Sequence, residues 1–145
     1  MGSMNLFDIS GRAMAAQNIR LNTIASNLAN VNALAGSREA VYKPMLPVFE
    51  TKTPMGQPLA GISTVDVVDI VRSTAEPETR YSPGHPLADA EGFVFSPAID
   101  RDQEMIDMIE TSRQYQNNIE VLTTAKSLLL KTISVGKSSK FKLNF

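Results

Sequence analysis

All eight prolines of this 145-residue chain lie between residues 44 and 97, and the stretches on either side carry apolar residues at alternating steps of three and four. Proline in a helix interior removes a hydrogen bond and clashes with the preceding turn. A three-four alternation keeps residues on one face of a helix. The chain is therefore confined to one arrangement: helix, proline-bearing middle, helix. In residues 4–37 the seam runs Phe7, Ser10, Met14, Gln17, Leu21, Ile24, Leu28 and Val31, flanked by Ala13, Ala15, Ala16, Ala25 and Ala29, which permit close helix approach. Ser10 and Gln17 make it imperfect. This segment holds only three charges, Asp8, Arg12 and Arg20. An exposed helix ordinarily has a charged outer face. Here that face is Asn, Gln, Ser and Thr, so it too is expected to be covered.

Residues 100–137 form the second helical segment, with Asp100 as N-cap and Gln103 as its capping-box partner. Its seam is Met105, Met108, Ser112, Tyr115, Ile119, Leu122, Lys126, Leu129 and Ile133. Residues 100–120 hold six acids and two bases, whereas 121–137 hold three lysines and no acid. Acids first and bases last complement the helix dipole, which argues for one continuous helix. It should be on the order of 50 Å long and stop at Gly136.

The middle, 38–99, reads as a small β-rich module. Ile62–Val71 is rich in β-branched residues. Tyr42–Phe49 is a second strand, placed at an edge by Pro44 and Pro47. Arg80-Tyr81 and Gly92–Phe95 are two more, separated by the turn Ser82-Pro83-Gly84-His85-Pro86. So few strands bury little surface. The fold class is α+β: long terminal helices paired as an antiparallel coiled coil, with the β module inserted at the far end. Ser10, Gln17, Ser112 and Lys126 weaken the seam, so the helices are expected to order fully only among neighbours. Residues 1–3 read as a foreign remnant before a second start at Met4. Residues 138–145 are either a native extension or another remnant.

Composition removes several function classes. There is no Cys, one His and a net charge of −1. Thiolate chemistry, multi-histidine metal sites and polybasic binding of nucleic acid or membrane are excluded on these grounds. No stretch approaches the ~20 apolar residues of a membrane helix. The N-terminus lacks the basic and apolar regions of a cleavable signal.

The segment Ser10-Gly11-Arg12-Ala13-Met14-Ala15-Ala16-Gln17, then Arg20-Leu21-Asn22 and Ile24-Ala25-Ser26-Asn27-Leu28-Ala29-Asn30-Val31-Asn32, resembles the N-terminal signature of the flagellar rod, hook and hook-associated proteins. The block Tyr81-Ser82-Pro83-Gly84-His85-Pro86-Leu87-Ala88-Asp89-Ala90-Glu91-Gly92-Phe93-Val94 and the chain's short length resemble the proximal rod members. So do Glu104–Asp107, Ser112–Leu122 and Lys126–Thr132 in the second helix. His85 stands where a turn residue such as Asn is expected. The resemblance implies a structural subunit polymerising through its terminal helices into a hollow, torque-transmitting shaft, located in the periplasmic rod of the basal body. It also implies export by the flagellar type III apparatus without a cleaved signal. The implied partners are rod proteins of the FlgB, FlgF, FlgG and FliE types, further copies of the chain, and the export apparatus. No cofactor, metal or substrate is implied. Two alternatives are a sibling proximal rod protein and, in another class, a cytosolic helical adaptor or chaperone.

Asp100, Asp102 and Glu104 begin like a calcium loop, but Met105 and Thr111 occupy the positions that need Gly and Glu. His85 has no positioned partner. The pairs Asp66/Asp69 and Glu76/Glu78 lack an aromatic-lined cleft for glycan hydrolysis. The expected functional residues are those of assembly: Met14, Leu21, Ile24, Asn27, Leu28, Asn30, Val31, Tyr115, Ile119, Leu122, Leu129 and Ile133. The set Asn18, Asn22, Asn27, Asn30 and Asn32 is expected to hydrogen-bond between subunits. On that reading, Asn27→Leu abolishes incorporation into the rod and leaves export intact.

Overall fold

The computed structural model describes residues 2–52 and 64–141, with side chains described within 6–52 and 64–137. Its elements are α1 (Gly2–Asn30), β1 (Met45–Lys52), β2 (Thr64–Arg72), β3 (Glu78–Tyr81), β4 (Phe93–Ser96) and α2 (Arg101–Phe141). Residues 62 and 63 of the strand expected over Ile62–Val71 fall outside the described residues.

The two helices pack antiparallel. Asn27 Nδ2 near the end of α1 donates to Glu104 Oε1 at the start of α2, at 3.0 Å. Gln17 Nε2 donates to Gln114 Oε1 at 2.7 Å further along. Leu6 shares a shallow cleft with Val121 and Leu128. The lengths do not match. α1 has 29 residues and α2 has 41, about 60 Å at the helical rise. The last turns of α2 therefore run past the start of α1. Gly136 does not end the helix as expected. It takes ordinary helical backbone, since Gly92 is the described glycine with positive φ. Glycine in a helix interior costs about 1 kcal/mol relative to alanine, which the flanking turns absorb. Asp100 does cap α2: its Oδ1 accepts from the backbone N–H of Asp102 at 3.0 Å and Gln103 at 3.1 Å. The Gln103 side chain reaches forward to Asp107 instead, so the reciprocal half of a capping box is not made.

The β segments form two antiparallel two-stranded sheets, β1–β2 and β3–β4. Pro47 sits opposite Ile70, and a bulge falls between Val48 and Phe49. A two-stranded ribbon has only edge strands, which is why proline is tolerated there. The β1–β2 hairpin does not sit at the far end of the helix pair. Its base is joined to Asn27 through Met45, and Asp66 accepts from Arg12 Nη1 at 3.2 Å. It lies back along α1, from residue 27 toward residue 12. That accounts in part for the uncharged N-terminal helix: one flank of α1 is covered by the chain's own ribbon.

The Tyr81–Phe93 block folds as a closed turn. Asp89 Oδ1 accepts from the backbone N–H of Glu91 at 3.0 Å and Phe93 at 2.8 Å. Gly92 has φ 86°, and a Cβ there would lie 3.0 Å from both the Tyr81 ring and Pro83. Only glycine fits that position. Tyr81 and Phe93 meet edge to face at 5.3 Å between ring centroids. Ala35 exchanges two 2.9 Å backbone hydrogen bonds with Phe95, joining the link after α1 to this second sheet.

The interior is small and mixed. Among the described residues the buried apolar side chains are Ala16, Ile24, Val41, Pro44, Val94, Phe95 and Pro97, and the buried polar ones are Ser10, Thr23, Asn27, Thr64 and Thr111.

Candidate functional site

Among the described residues no group of three His, Asp or Glu gathers as a metal site. The features that bear on function are a polar joint, a polar seam and the faces they leave uncovered.

The joint is built on Asn27, which is 2% exposed. Its Nδ2 donates to Met45 O at 3.0 Å and to Glu104 Oε1 at 3.0 Å. Its Oδ1 accepts from the Met45 backbone N–H at 2.8 Å and from the Tyr42 hydroxyl at 3.1 Å. One amide thus pins α1, the entry to β1 and the start of α2. The expectation that Asn27 bonds to a neighbouring subunit is corrected: its donors and acceptor are engaged within the chain. A buried amide must be paired, and the nearest main chain supplies the pairs. Asn30 Nδ2 likewise bonds back to Ser26 O at 2.8 Å, while Asn18, Asn22 and Asn32 are exposed. Burial holds the Glu104 carboxyl above its usual range; the hydrogen bond from Asn27 works against this, Asp107 reinforces it and Arg20 opposes it. Arg72 backs the joint from the strand side. It lies over the Tyr42 ring at 5.5 Å and donates to Lys43 O at 3.0 Å.

The seam beyond the joint is polar as well. Gln17 Oε1 and Thr111 Oγ1 are buried without a hydrogen-bond partner. Each such group costs about 1–3 kcal/mol. Arg12 fastens the hairpin; the Asp8 carboxylate first, and Asp66 second, hold its guanidinium above its ordinary value. Both partners are reached at the surface, at 3.3 and 3.2 Å, so the contribution to stability is small.

The expected seam residues divide. Ile24 is buried, and Met14, Leu21, Leu28, Asn30, Val31, Tyr115 and Leu122 are half-buried. Ile119, Leu129 and Ile133 are exposed, as are Met105 and Lys126. On α2 the covered positions include Glu104, Met108, Thr111, Tyr115, Asn118 and Leu122, so the packed face is turned one position at alternate steps. The cause is that Glu104 and Gln114 turn inward to meet Asn27 and Gln17. Sequence reasoning missed these two partners because both lie one residue off the apolar register. On α1, Gly11, Ala15, Asn18, Asn22, Ala25 and Ala29 form an exposed, uncharged strip at three-four spacing. On α2, Val121, Leu128, Leu130 and Val135 stand exposed beside Leu129 and Ile133.

Comparison with known proteins decides the family. Residues 7–33 match the family described as Flagella basal body rod protein, and residues 90–135 match Flagellar basal body rod FlgEFG protein C-terminal. The chain is 43% identical over 137 residues to the flagellar basal-body rod protein FlgC of Salmonella typhimurium, covering 94% of this chain and 100% of that one. The FlgC of Escherichia coli O6:H1 is 42% identical with the same coverage. That of Aquifex aeolicus is 36% identical over 94% of this chain and 99% of its own length. The chain belongs to the FlgC family of flagellar basal-body rod proteins. The first match covers most of α1 and the second runs from the end of the β3–β4 turn through most of α2. The Asn27 joint connects the two matched regions.

Proposed function

We propose that this chain is a structural subunit of the proximal rod of the bacterial flagellum, that it is not an enzyme, and that it polymerises through its terminal helices into a hollow, torque-transmitting shaft. The observation that carries this reading is the second half of α2. Between Leu128 and Val135 it exposes Leu128, Leu129, Leu130, Ile133 and Val135, with exposures from 41% to 68%. A run of exposed apolar side chains of this size marks a surface that a partner covers. The exposed strip of α1, small and uncharged, suits close helix approach in the same way. Rod proteins of like build, of the FlgB, FlgF, FlgG and FliE types, and further copies of the chain would supply the surroundings. The rod lies in the periplasm, and the chain reaches it through the flagellar type III export apparatus. A seam with two unpartnered polar atoms keeps the lone subunit weakly closed, which suits a chain that threads through before ordering. The set Asn18, Asn22 and Asn32 remains available for bonds to neighbours.

Fractionation of purified basal bodies tests this reading. The chain should sediment with them, resist extraction and restore motility to cells lacking their own copy. Recovery in the soluble fraction, bound reversibly to a client, would replace the reading with that of an adaptor.

A further inference from the structure

His85 is the one histidine of the chain, and it stands at a turn position where Asn is expected. Its ring is half-buried. Nδ1 accepts the backbone N–H of Leu87 at 3.1 Å. A turn Asn makes the same bond with its side-chain oxygen, to the backbone two residues on, so the ring substitutes for the expected amide. Pro83 and Pro86 have no N–H to give. Two further bonds of the turn run from the His85 N–H to Ser82 O and from the Ala88 N–H to His85 O, both at 3.0 Å. Leu87 is also where the turn meets the link after α1: a Cβ on Gly36 would lie 3.0 Å from Leu87 O. The charged and titratable groups nearby are otherwise engaged or exposed. Asp89 accepts from the N–H groups of Glu91 and Phe93, and Arg38 on the link pairs with Glu76. Glu91, Glu39, Arg80 and Tyr81 are exposed. Among the described residues no carboxylate forms an ion pair with the ring.

Imidazole differs from the amide in one respect. Nδ1 accepts a hydrogen bond only while it carries no proton, with the ring neutral and its proton on Nε2. The imidazolium has two donors and no acceptor, so a proton taken up at Nδ1 sets N–H against N–H. Imidazole changes charge between about pH 5 and 8. We propose that His85 makes the turn between β3 and β4 a pH-sensitive switch, closed by the neutral ring and released when Nδ1 takes up a proton. Release strips the Leu87 N–H of its acceptor and loosens the contact of Leu87 with Gly36. With no carboxylate paired to the ring, nothing compensates the added charge. The far side of the turn holds in either state, because Asp89 and the backbone bonds from Ser82 to Gly92 and from Asp89 to Phe93 do not involve the ring. The switch belongs to the single chain, and its test needs no assembly.

The full chain, isotopically labelled, is followed by NMR from about pH 8 down to about pH 5. At the upper end the parent's ring should show a bare Nδ1 and a protonated Nε2. On acidification the Leu87 amide should shift together with the ring's own titration. Its protection against hydrogen exchange, corrected for the intrinsic rate at each pH, should fall about fivefold, the loss of one ordinary hydrogen bond. The Gly36 amide should move with the same midpoint. His85→Asn keeps an acceptor that takes up no proton, so its Leu87 protection should stay at the parent's upper value throughout. His85→Ala should show the lower value throughout. Asp89 and Glu91 are intact in both variants, so any change that they cause persists in His85→Asn. A proton on Nδ1 of the neutral ring overturns the proposal. So does equal Leu87 protection at the two ends of the range in the parent, or a pH dependence in His85→Asn as large as the parent's. A Gly36 amide indifferent to the titration overturns the reach of the switch to the link.

Discussion

The two ends of the helix pair are built on opposite terms. At one end Asn27, Tyr42, Met45 and Glu104 close on one another with every amide atom used. At the other, Leu129, Leu130, Ile133 and Val135 are exposed. The difference separates two tasks that a single coiled coil would merge. Hydrogen bonds of fixed geometry set the subunit's internal arrangement; unsatisfied apolar surface, which is non-directional, is left to be completed by neighbours.

The largest way to break this contrast is Asn27→Leu. It strips partners from the Met45 backbone, the Tyr42 hydroxyl and Glu104 together, so the isolated chain should lose about 3 kcal/mol or more in denaturant unfolding. Loss of rod incorporation in this variant would then follow from a disordered subunit, and proteolysis of the purified variant would reveal it. Gln17→Leu combined with Gln114→Leu works in the other direction. Replacing both partners removes the orphaned Gln17 Oε1 along with the pair and should stabilise by about 1–2 kcal/mol, whereas Gln114→Leu alone should destabilise; a double-mutant cycle in urea checks both. Thr111→Val keeps the shape and removes a hydroxyl that has no partner, and should raise stability by about 1 kcal/mol in the same assay.

Glu104→Gln sharpens the contrast through pH. The folded carboxyl titrates above its unfolded value, so its contribution is present at low pH and lost as pH rises through the folded value. The amide keeps an acceptor for Asn27 without burying a charge. The variant should therefore melt slightly higher than the parent at neutral pH, with the gap closing below the ordinary carboxylate range. The smallest effect on the lone chain belongs to Leu130→Gln at the open end. Its unfolding midpoint should stay within about 0.5 kcal/mol of the parent, while its recovery in basal bodies should drop.

The periodicity of the termini and the crowding of proline in the middle made the helix–sheet–helix order legible, because both act through local backbone geometry. The strands around Val65, Phe49, Tyr81 and Val94 were legible for the same reason. The hairpin's position was not. It depends on Arg12 meeting Asp66 and on Asn27 meeting Met45, pairings across 54 and 18 positions that no local pattern records. The turn of the packed faces was hidden too. A heptad reading weighs apolar residues, and this seam is centred on Asn27, Glu104, Gln17 and Gln114. Asn27 was singled out correctly as a residue that must be paired, but the partner lay inside the chain.

The joint also sets an order of events in time. Its amide needs atoms from positions 27, 42, 45 and 104, so the first and last of its segments are 77 positions apart. A chain delivered from its N-terminus presents the amide long before Glu104 emerges. Until then the clasp is incomplete and the leading helix has no antiparallel mate. Closure is therefore a late step, gated by arrival of the trailing helix.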